Sequence, residues 1–283
     1  MISRIRRRGP CTTLSLGGPL SGARVLVILP TLGDRLDSLR ETLESVSQQR
    51  RDIDLTLVVV SPESAVAARS LAAEYNAVLV DDPRHGISAA INRGIAARAG
   101  EEFYAWIGDD DLYREGGLAR LASILDSTPE APLAFGGCDY IDPEGRTIVV
   151  SRAGWLAPIL LPWGPDLIPH PGTMIRLDRL VSVGEFDETL RYAMDLDAFL
   201  KLREFGRFAW TRESVSAFRW HPDSLTVANR LSSSLESEAI KRRHLPAVLR
   251  PISPLWQRPL RWASARAAET LNKRARALAS ASV

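Results

Sequence analysis

Short, almost wholly apolar segments alternate with amphipathic segments through the first half of this chain. Residues 24–29, 54–60, 77–80 and 103–107 form the apolar runs, and residues 36–49, 64–75, 87–95 and 118–125 carry apolar side chains at helical spacing. A strand that lacks polar alternation is typically buried on both faces, as in a parallel sheet covered by helices. The pattern therefore predicts βαβ units and an α/β fold with a mostly parallel central sheet flanked by helices.

The alternation weakens after residue 145. A further strand begins at 133–135, but residues 155–171 contain five prolines and cannot be regular throughout. We expect a helix at 194–205, short strands at 208–210 and 216–220, and from residue 236 a helix interrupted at Pro246, Pro251, Pro254 and Pro259. This divides the chain into a disordered basic N-terminus (1–23), a main domain (24–235, with halves 24–145 and 146–235) and a basic helical C-terminal extension (236–283).

Positive charge is concentrated at the two ends. The formal net charge is only +2, yet residues 1–24 hold five arginines and no acid, and residues 241–283 hold ten Lys or Arg against one acid. Such ends are either solvated tails or contacts to an anionic surface. Residues 250–283 can form a basic amphipathic helix, which predicts peripheral membrane contact. The alternatives are packing on the domain or on a second subunit, which would make a homodimer.

Other sequence features limit the compartment and the class of protein. No run of 18 apolar residues is present, and the basic N-terminus lacks the continuous apolar segment of a signal peptide. The two cysteines, Cys11 and Cys138, are too few and too far apart to predict a disulfide framework or a zinc site. We expect a cytoplasmic protein without a nucleic-acid partner, with any membrane contact peripheral and on the inner face.

Three adjacent carboxylates, Asp109-Asp110-Asp111, follow the apolar run 103–107. Parallel sheets bind ligands at the carboxyl ends of their strands. Folding three carboxylates together is costly unless a cation is present. Oxygen ligands suit magnesium and manganese, which also bind substrate phosphates. The run therefore predicts a divalent-metal site, with a solvated turn that caps the next helix as the alternative.

A second candidate segment surrounds Gly86. This glycine precedes an expected helix, where free backbone N–H groups attract phosphate, and Asn92 and Arg93 follow one turn in. The alternative is that Gly86 only makes the turn and Asn92 faces water.

A third candidate is the pair Asp195 and Asp197 near another helix start. One carboxylate can serve as a general base, and stabilisation by the helix dipole is the alternative. His170 and His221 lie in proline-containing loops, and we expect one of the two to be functional.

Taken in order, these segments resemble the GT-A glycosyltransferases of family 2. The resemblance runs from about residue 24 to 226 and is carried by residues 30–35 (PTLGDR), 45–49 (SVSQQ), 85–94 (HGISAAINRG), 107–113 (IGDDDLY), 184–190 (GEFDETL) and 194–197 (MDLD). The ordered set is much more specific than any one of its members.

The resemblance implies an inverting transfer and a role for each matched residue. Donor-binding positions would be Pro30, Thr31, Asp82, Gly86, Asn92, Arg93, Asp109 and Asp110. Asp111 would bind Mn²⁺ or Mg²⁺, joined by His221 from a loop that closes over the diphosphate in some relatives. Asp195 matches the family's catalytic base.

The segment after the second strand departs from the family pattern. Many relatives have a Val-Asp-Asp-Gly-Ser turn there, whereas this chain has Val60-Ser61-Pro62-Glu63-Ser64. The base-binding carboxylate is missing, and Glu63 or the pair Asp81 and Asp82 are the candidate substitutes. The resemblance therefore leaves the donor base open.

We thus expect a metal-dependent glycosyltransferase that moves a sugar from a nucleotide-diphosphate sugar to a glycan or lipid-linked acceptor of the cell envelope. A non-catalytic sugar- or lipid-binding module on the same fold is the alternative from another class. A nucleotidyltransferase is less favoured, because residues 30–35 contain one glycine and no lysine. In a phosphatase the aspartates would follow the first strand, and a threonine would stand where Tyr113 does. A dinucleotide dehydrogenase is disfavoured because no G-x-G-x-x-G motif follows a strand.

Overall fold

The computed structural model describes residues 22–152, 154–220 and 229–280, which form one sheet of nine strands with nine helices. The strands are β1 (Val25–Pro30), β2 (Leu55–Ser61), β3 (Val78–Asp81), β4 (Phe103–Trp106), β5 (Leu112–Tyr113), β6 (Leu133–Ile141), β7 (Thr147–Ser151), β8 (Thr173–Arg176) and β9 (Ala209–Arg219). The helices are α1 (Leu36–Gln49), α2 (Val66–Glu74), α3 (Ile87–Ile95), α4 (Gly117–Ser127), α5 (Leu156–Leu160), α6 (Leu177–Ser182), α7 (Met194–Leu202), α8 (Arg230–His244) and α9 (Pro254–Ser280). None of these helices has the length and apolar composition that crossing a membrane requires. The predicted disordered N-terminus lies outside the described residues, apart from residues 22 and 23.

The first half of the sheet is parallel, in the order β3-β2-β1-β4. Every residue of β1 is buried, because alternate side chains enter two hydrophobic clusters on opposite faces of the sheet. Leu26 and Ile28 pack with α3, whereas Val27 and Leu29 pack with α1 and α2. Gly94 lets α3 approach closely, since a Cβ there would lie 2.8 Å from the Ile28 side chain. The prediction of a parallel sheet covered on both faces is confirmed for this half.

The second half of the sheet mixes strand directions. β8 lies between β4 and β6 and is antiparallel to both, and β9 is parallel to β6. The short β5 and β7 pair antiparallel with β9 and β6. The two short strands expected at 208–210 and 216–220 are one strand, β9, whose register against β6 shifts around Gly137. A Cβ at Gly136 would lie 2.7 Å from the Val215 side chain, so this irregular pairing requires glycine.

The C-terminal helices pack on the rest of the domain. Ile240 of α8 is fully buried in the cluster that contains α7, and the ring of Trp256 in α9 lies 6.0 Å from that of Trp163. Trp220 Nε1 donates a 2.8 Å hydrogen bond to Asn272 Oδ1. Packing on the domain, one alternative for residues 250–283, is therefore present. The predicted boundary between residues 235 and 236 falls inside α8.

One expected helix interruption is wrong. Pro246 and Pro251 lie between α8 and α9, and Pro254 begins α9, where a missing N–H costs nothing. Pro259, however, lies inside α9. A proline there removes one helical hydrogen bond and crowds the preceding turn. That turn contains Gln257, which is only 4% exposed, so packing on the domain holds the turn in helical form.

Candidate active site

The acidic run lies where β1 and β4 end. These strands are parallel neighbours, so the segments that follow them meet at one edge of the sheet. Thr31 Oγ1, directly after β1, donates a 2.6 Å hydrogen bond to Asp109 Oδ2. Pro30, the last residue of β1, is buried. The structure thus brings Pro30, Thr31 and Asp109 together, and their role in donor binding stays a prediction.

Arg35 supplies positive charge to the acidic run. Its guanidinium forms an ion pair with Asp110 and lies 3.9 Å from Asp109 Oδ1. Burial raises the pKa of Asp109, and the hydrogen bond from Thr31 and the charge of Arg35 act against that rise. Because the pKa of Asp109 is nevertheless raised, the charge of the run is only partly compensated, and a further cation would be stabilising.

Asp111 is the most deeply buried carboxylate of the run. The residue is 4% exposed, and its Oδ1 accepts a 2.9 Å hydrogen bond from the backbone N–H of Arg219. Thr42 Oγ1 donates to the Asp111 carbonyl oxygen at 2.8 Å, which fixes the backbone. Burial, followed by the negative charge of Asp110, raises the pKa of Asp111 well above its ordinary value. An ionised carboxylate here needs a cation beside it.

The donor atoms at Asp111 fit a hard divalent metal. Manganese and magnesium bind through one or two protein carboxylates and fill their other positions with substrate phosphates and water. No group of three or more His, Cys, Asp or Glu side chains in the part of the chain that the structure describes is arranged to hold a metal by itself. Asp111 is therefore suited to be one ligand of a metal shared with a diphosphate. His221, the other predicted ligand, lies outside the described residues.

Arg219 fixes the acidic run from the opposite side, a role that the sequence did not reveal. It is 5% exposed at the end of β9. Its Nε donates to the Asp110 carbonyl at 2.8 Å, its Nη1 donates to the Pro143 carbonyl at 2.5 Å, and its guanidinium pairs with Glu41. One buried arginine therefore holds the backbone and the charge of the run in place.

Asp195 lies in the first turn of α7, beside His170. The two groups are 3.1 Å apart, from Asp195 Oδ2 to His170 Nδ1, which is an ion-pair distance without the alignment of a hydrogen bond. The His170 ring is buried and packs edge-on against Trp106, with 4.5 Å between ring centroids. Trp106 ends β4, three residues before Asp109. The candidate base and the acidic run are thus connected through two aromatic rings.

Asp166 is a second carboxyl group near Asp195. Packing of the surrounding protein, followed by the charge of Asp195, raises the pKa of Asp166 above its ordinary value, and the exposure of this residue to solvent limits the rise. The backbone N–H of Ile168 and the charge of Lys241 act in the opposite direction.

Asp197, the other aspartate considered for base catalysis, has a structural role. It is 4% exposed, and it contacts Lys201 Nζ at 2.7 Å and His244 Nε2 at 3.2 Å. Burial raises its pKa, but the hydrogen bonds from His244 and Lys201 outweigh burial and leave the pKa below its ordinary value. Of the two aspartates considered for base catalysis, Asp197 is thus engaged in joining α7 to α8, and Asp195 keeps a partly exposed carboxylate.

The predicted donor-binding residues around α3 are spread along it. Gly86 has φ of +111°, a conformation that requires glycine, and it directly precedes α3. Arg93 is exposed in the last turn of α3. Asp82 accepts a 2.7 Å hydrogen bond from the backbone N–H of Arg84 in the loop before α3. Their contacts with a donor stay predictions.

Asn92 uses its amide to join α3 to the segment before α7. Its Nδ2 donates to the Phe186 carbonyl at 2.8 Å and to Glu188 at 3.0 Å, and its Oδ1 accepts from the Phe186 N–H at 3.1 Å. These contacts do not bring the Asn92 amide to the acidic run. They place it in the packing between the two halves of the domain.

The candidate substitutes for the base-binding carboxylate lie together. A hydrogen bond with Asp81 and the charge of Asp81 raise the pKa of Glu63. Arg69 Nη1 pairs with Asp81 Oδ1 at 2.9 Å and donates to the Ser61 carbonyl at 3.0 Å. A carboxylate pair with one arginine thus borders the place where β2 and β3 end, in place of the missing aspartates.

Similarity to known proteins agrees with this geometry. The chain is 24% identical over 226 residues to an uncharacterized glycosyltransferase of Rickettsia typhi (strain ATCC VR-144 / Wilmington), an alignment that covers 76% of this chain and 70% of the relative. Among solved structures, it is similar to S. aureus TarS in complex with UDP-GlcNAc (TM-score 0.61, 15% identity, 78% of this chain). It spans 65% of that TarS chain.

A mannosyltransferase, PcManGT from Pyrobaculum calidifontis in complex with GDP-Man and Mn²⁺, is similar over a larger share. The TM-score is 0.62 at 20% identity, and the match covers 92% of this chain and 79% of the other. These structural likenesses confirm the predicted GT-A fold.

The sequence model described as "Glycosyl transferase family 2" matches residues 26–172. The match spans β1 to the turn before β8 and includes the acidic run, Thr31 and His170. It covers just over half of the chain. This chain therefore belongs to glycosyl transferase family 2.

Proposed function

We propose that this protein is an inverting, metal-dependent glycosyltransferase that moves a sugar from a nucleotide-diphosphate sugar to a hydroxyl group of a glycan or lipid-linked acceptor. The observation that supports this most is one connected arrangement. A buried carboxylate, Asp111, lies at the edge of the sheet where β1 and β4 end, and Trp106 and His170 connect that edge to Asp195.

On the donor side, the residues of the acidic run would hold the nucleotide diphosphate. Asp109 and Asp110 face the loop after β1, and Asp111 would be the protein ligand of the metal. When bound, the metal supplies Lewis-acid stabilisation of the negative charge that develops on the diphosphate. Arg219 keeps Asp110 and Asp111 in place, so the donor meets a site that needs little rearrangement.

On the acceptor side, Asp195 would act as the general base. Its carboxylate accepts the proton of the acceptor hydroxyl as that oxygen attacks the anomeric carbon, and the bond from that carbon to the diphosphate breaks. Attack from the face opposite the leaving group inverts the configuration. His170 holds one carboxylate oxygen at 3.1 Å and so restricts where the base points.

Nucleotide binding tests the donor assignment. We expect UDP, GDP or dTDP to bind with heat in a calorimetric titration when Mn²⁺ is present, and to bind at least tenfold more weakly in EDTA, because a diphosphate facing three carboxylates without a cation is repelled. The base that binds best names the donor class and reports on Glu63 and Asp81. A folded protein that binds none of the three would favour a non-catalytic binding module.

We further propose that α9 makes peripheral contact with an anionic membrane surface, where a lipid-linked cell-envelope acceptor would lie on the inner face. Leu255 and Trp262 of α9 are 77% and 64% exposed, and the Arg266 guanidinium lies 5.2 Å from the Trp262 ring centroid. Basic amphipathic helices bind anionic interfaces in this way. Replacing Leu255 and Trp262 by serine should reduce co-sedimentation with phosphatidylglycerol vesicles. Unchanged co-sedimentation would indicate that this face does not bind the membrane. A change in the monomer–dimer equilibrium in sedimentation velocity would indicate instead that it binds a second copy.

A further inference from the structure

Glu236 of α8 accepts hydrogen bonds from three consecutive backbone N–H groups that lead into α7. Its Oε1 accepts from Arg191 at 3.0 Å, and its Oε2 accepts from Tyr192 at 2.5 Å and from Ala193 at 2.8 Å. Asp195 follows two residues later. One side chain from the C-terminal part of the chain therefore fixes the backbone immediately before the candidate base.

One of the three N–H groups, that of Ala193, belongs to the N-cap of α7, and the other two lie just before the helix. The first N–H groups of a helix lack partners inside it, and Ala193, at the N-cap, has no side chain that can accept them. A carboxylate at this end is also favoured by the helix dipole. Asp195 in the first turn of α7 accepts the Leu196 N–H with Oδ1 at 2.8 Å, and its Oδ2 lies 3.1 Å from His170 Nδ1.

The contact belongs to a continuous face of α8. Glu236, Ile240 and His244 follow one another at four-residue intervals, which places them on one side of the helix. Ile240 is fully buried against the cluster of α7, and His244 Nε2 lies 3.2 Å from Asp197 Oδ1. α8 therefore holds α7 before its first turn as well as further along it.

We propose that Glu236 is a positioning residue for the transfer reaction: it sets the backbone at the start of α7 and thereby the place of the Asp195 carboxylate relative to the acceptor hydroxyl. This inference rests on the proposed role of Asp195 as the base. With this role, the C-terminal part of the chain would contribute to the active site, in addition to any contact with a membrane.

The test compares Glu236→Gln, Glu236→Asp and Glu238→Gln. Glutamine keeps one acceptor oxygen but turns an NH2 group toward at least one of the backbone N–H donors, so we expect kcat to fall about 10- to 100-fold with an unchanged KM for the donor, because misplacing a catalytic group by about 1 Å has such an effect. Glu236→Asp keeps the carboxylate and should restore part of kcat. Glu238 lies on the same helix but pairs with Arg261 of α9 at 3.2 Å, so Glu238→Gln should leave kcat unchanged.

Two further readouts decide between positioning and general stability. Hydrogen exchange at residues 191–196 should become faster in Glu236→Gln, with melting temperature within a few degrees of wild type. Combined with Asp195→Asn, the Glu236→Gln change should lower kcat no further. Unaltered exchange, a wild-type kcat, or the same fold-loss in both backgrounds would overturn the inference alone. Wild-type transfer by Asp195→Asn would overturn the base assignment and this inference with it.

Discussion

Asp195→Asn is expected to lower kcat by about 10²- to 10⁴-fold while nucleotide binding stays as in wild type. Asparagine has nearly the same size and can still accept the hydrogen bond from the Leu196 N–H, but it cannot take a proton from the acceptor. The predicted donor-binding residues lie on other elements, at the ends of β1 and β4 and around α3, so the substitution does not alter them. Initial rates across acceptor concentrations, with calorimetric donor affinity, measure the two effects separately.

Asp166→Asn is the matched control, because it removes the other carboxyl group near Asp195. Asp166→Asn leaves the Asp195 carboxylate and its contact with His170 in place, so kcat at the pH optimum should change only a few-fold. If Asp166→Asn abolishes transfer and Asp195→Asn does not, the base is Asp166.

Asp111→Ala is expected to lower the transfer rate by a factor of at least about 10³. A metal contributes several kcal/mol of charge stabilisation, and each 1.36 kcal/mol corresponds to a tenfold change in rate. The fold should survive. Burial and the charge of Asp110 raise the pKa of Asp111, so its ionised form is unfavourable in the metal-free protein. Its removal relieves that repulsion and leaves one Arg219 N–H without a partner, two effects of opposite sign. We expect a melting temperature close to that of wild type.

Asp126→Ala controls for the loss of a carboxylate as such. Asp126 is an exposed residue of α4 that pairs at 2.8 Å with Arg24, just before the start of β1, whereas the acidic run lies where β1 ends. Its replacement should leave both the rate and the manganese dependence of nucleotide binding unchanged. A folded Asp111→Ala protein with near wild-type turnover, or with manganese-dependent binding intact, would show that the metal is held elsewhere.

The local pattern of the sequence was sufficient to predict the strands and helices of the N-terminal half. β1 to β4 with α1 to α3 follow from continuous apolar runs and helical spacing, because each element is defined by its own residues and buried by its immediate neighbours. The acidic run was found for the same reason, since it directly follows a buried strand. Its contact with Thr31 follows from the neighbouring positions of β1 and β4.

Contacts between distant parts of the chain could not be predicted from local sequence patterns. Arg219 reaches Asp111 across 108 residues, and Glu236 reaches Tyr192 across 44. Neither residue carries a local signal beyond its charge, so the sequence alone did not single out either as a contact to a distant element. The antiparallel β8 escaped prediction because four residues after a proline-containing turn carry almost no periodicity. Asn92 was expected at the donor for its place in a motif, whereas its amide bonds are made to the segment before α7.

The insertion of β8 between β4 and β6 has a consequence for the order in which the chain is made. The parallel half emerges from the ribosome first, and the edge of β4 that faces away from β1 has no partner strand until residues 173–176 have been synthesised. The carboxylate at Asp111 receives its backbone hydrogen bond later still, when β9 delivers Arg219. The acidic loop is therefore one of the last parts of the domain to reach its final form, although it is among the earlier parts to be translated. A nascent chain that stops before β9 carries the acidic run without its contacts to Arg219.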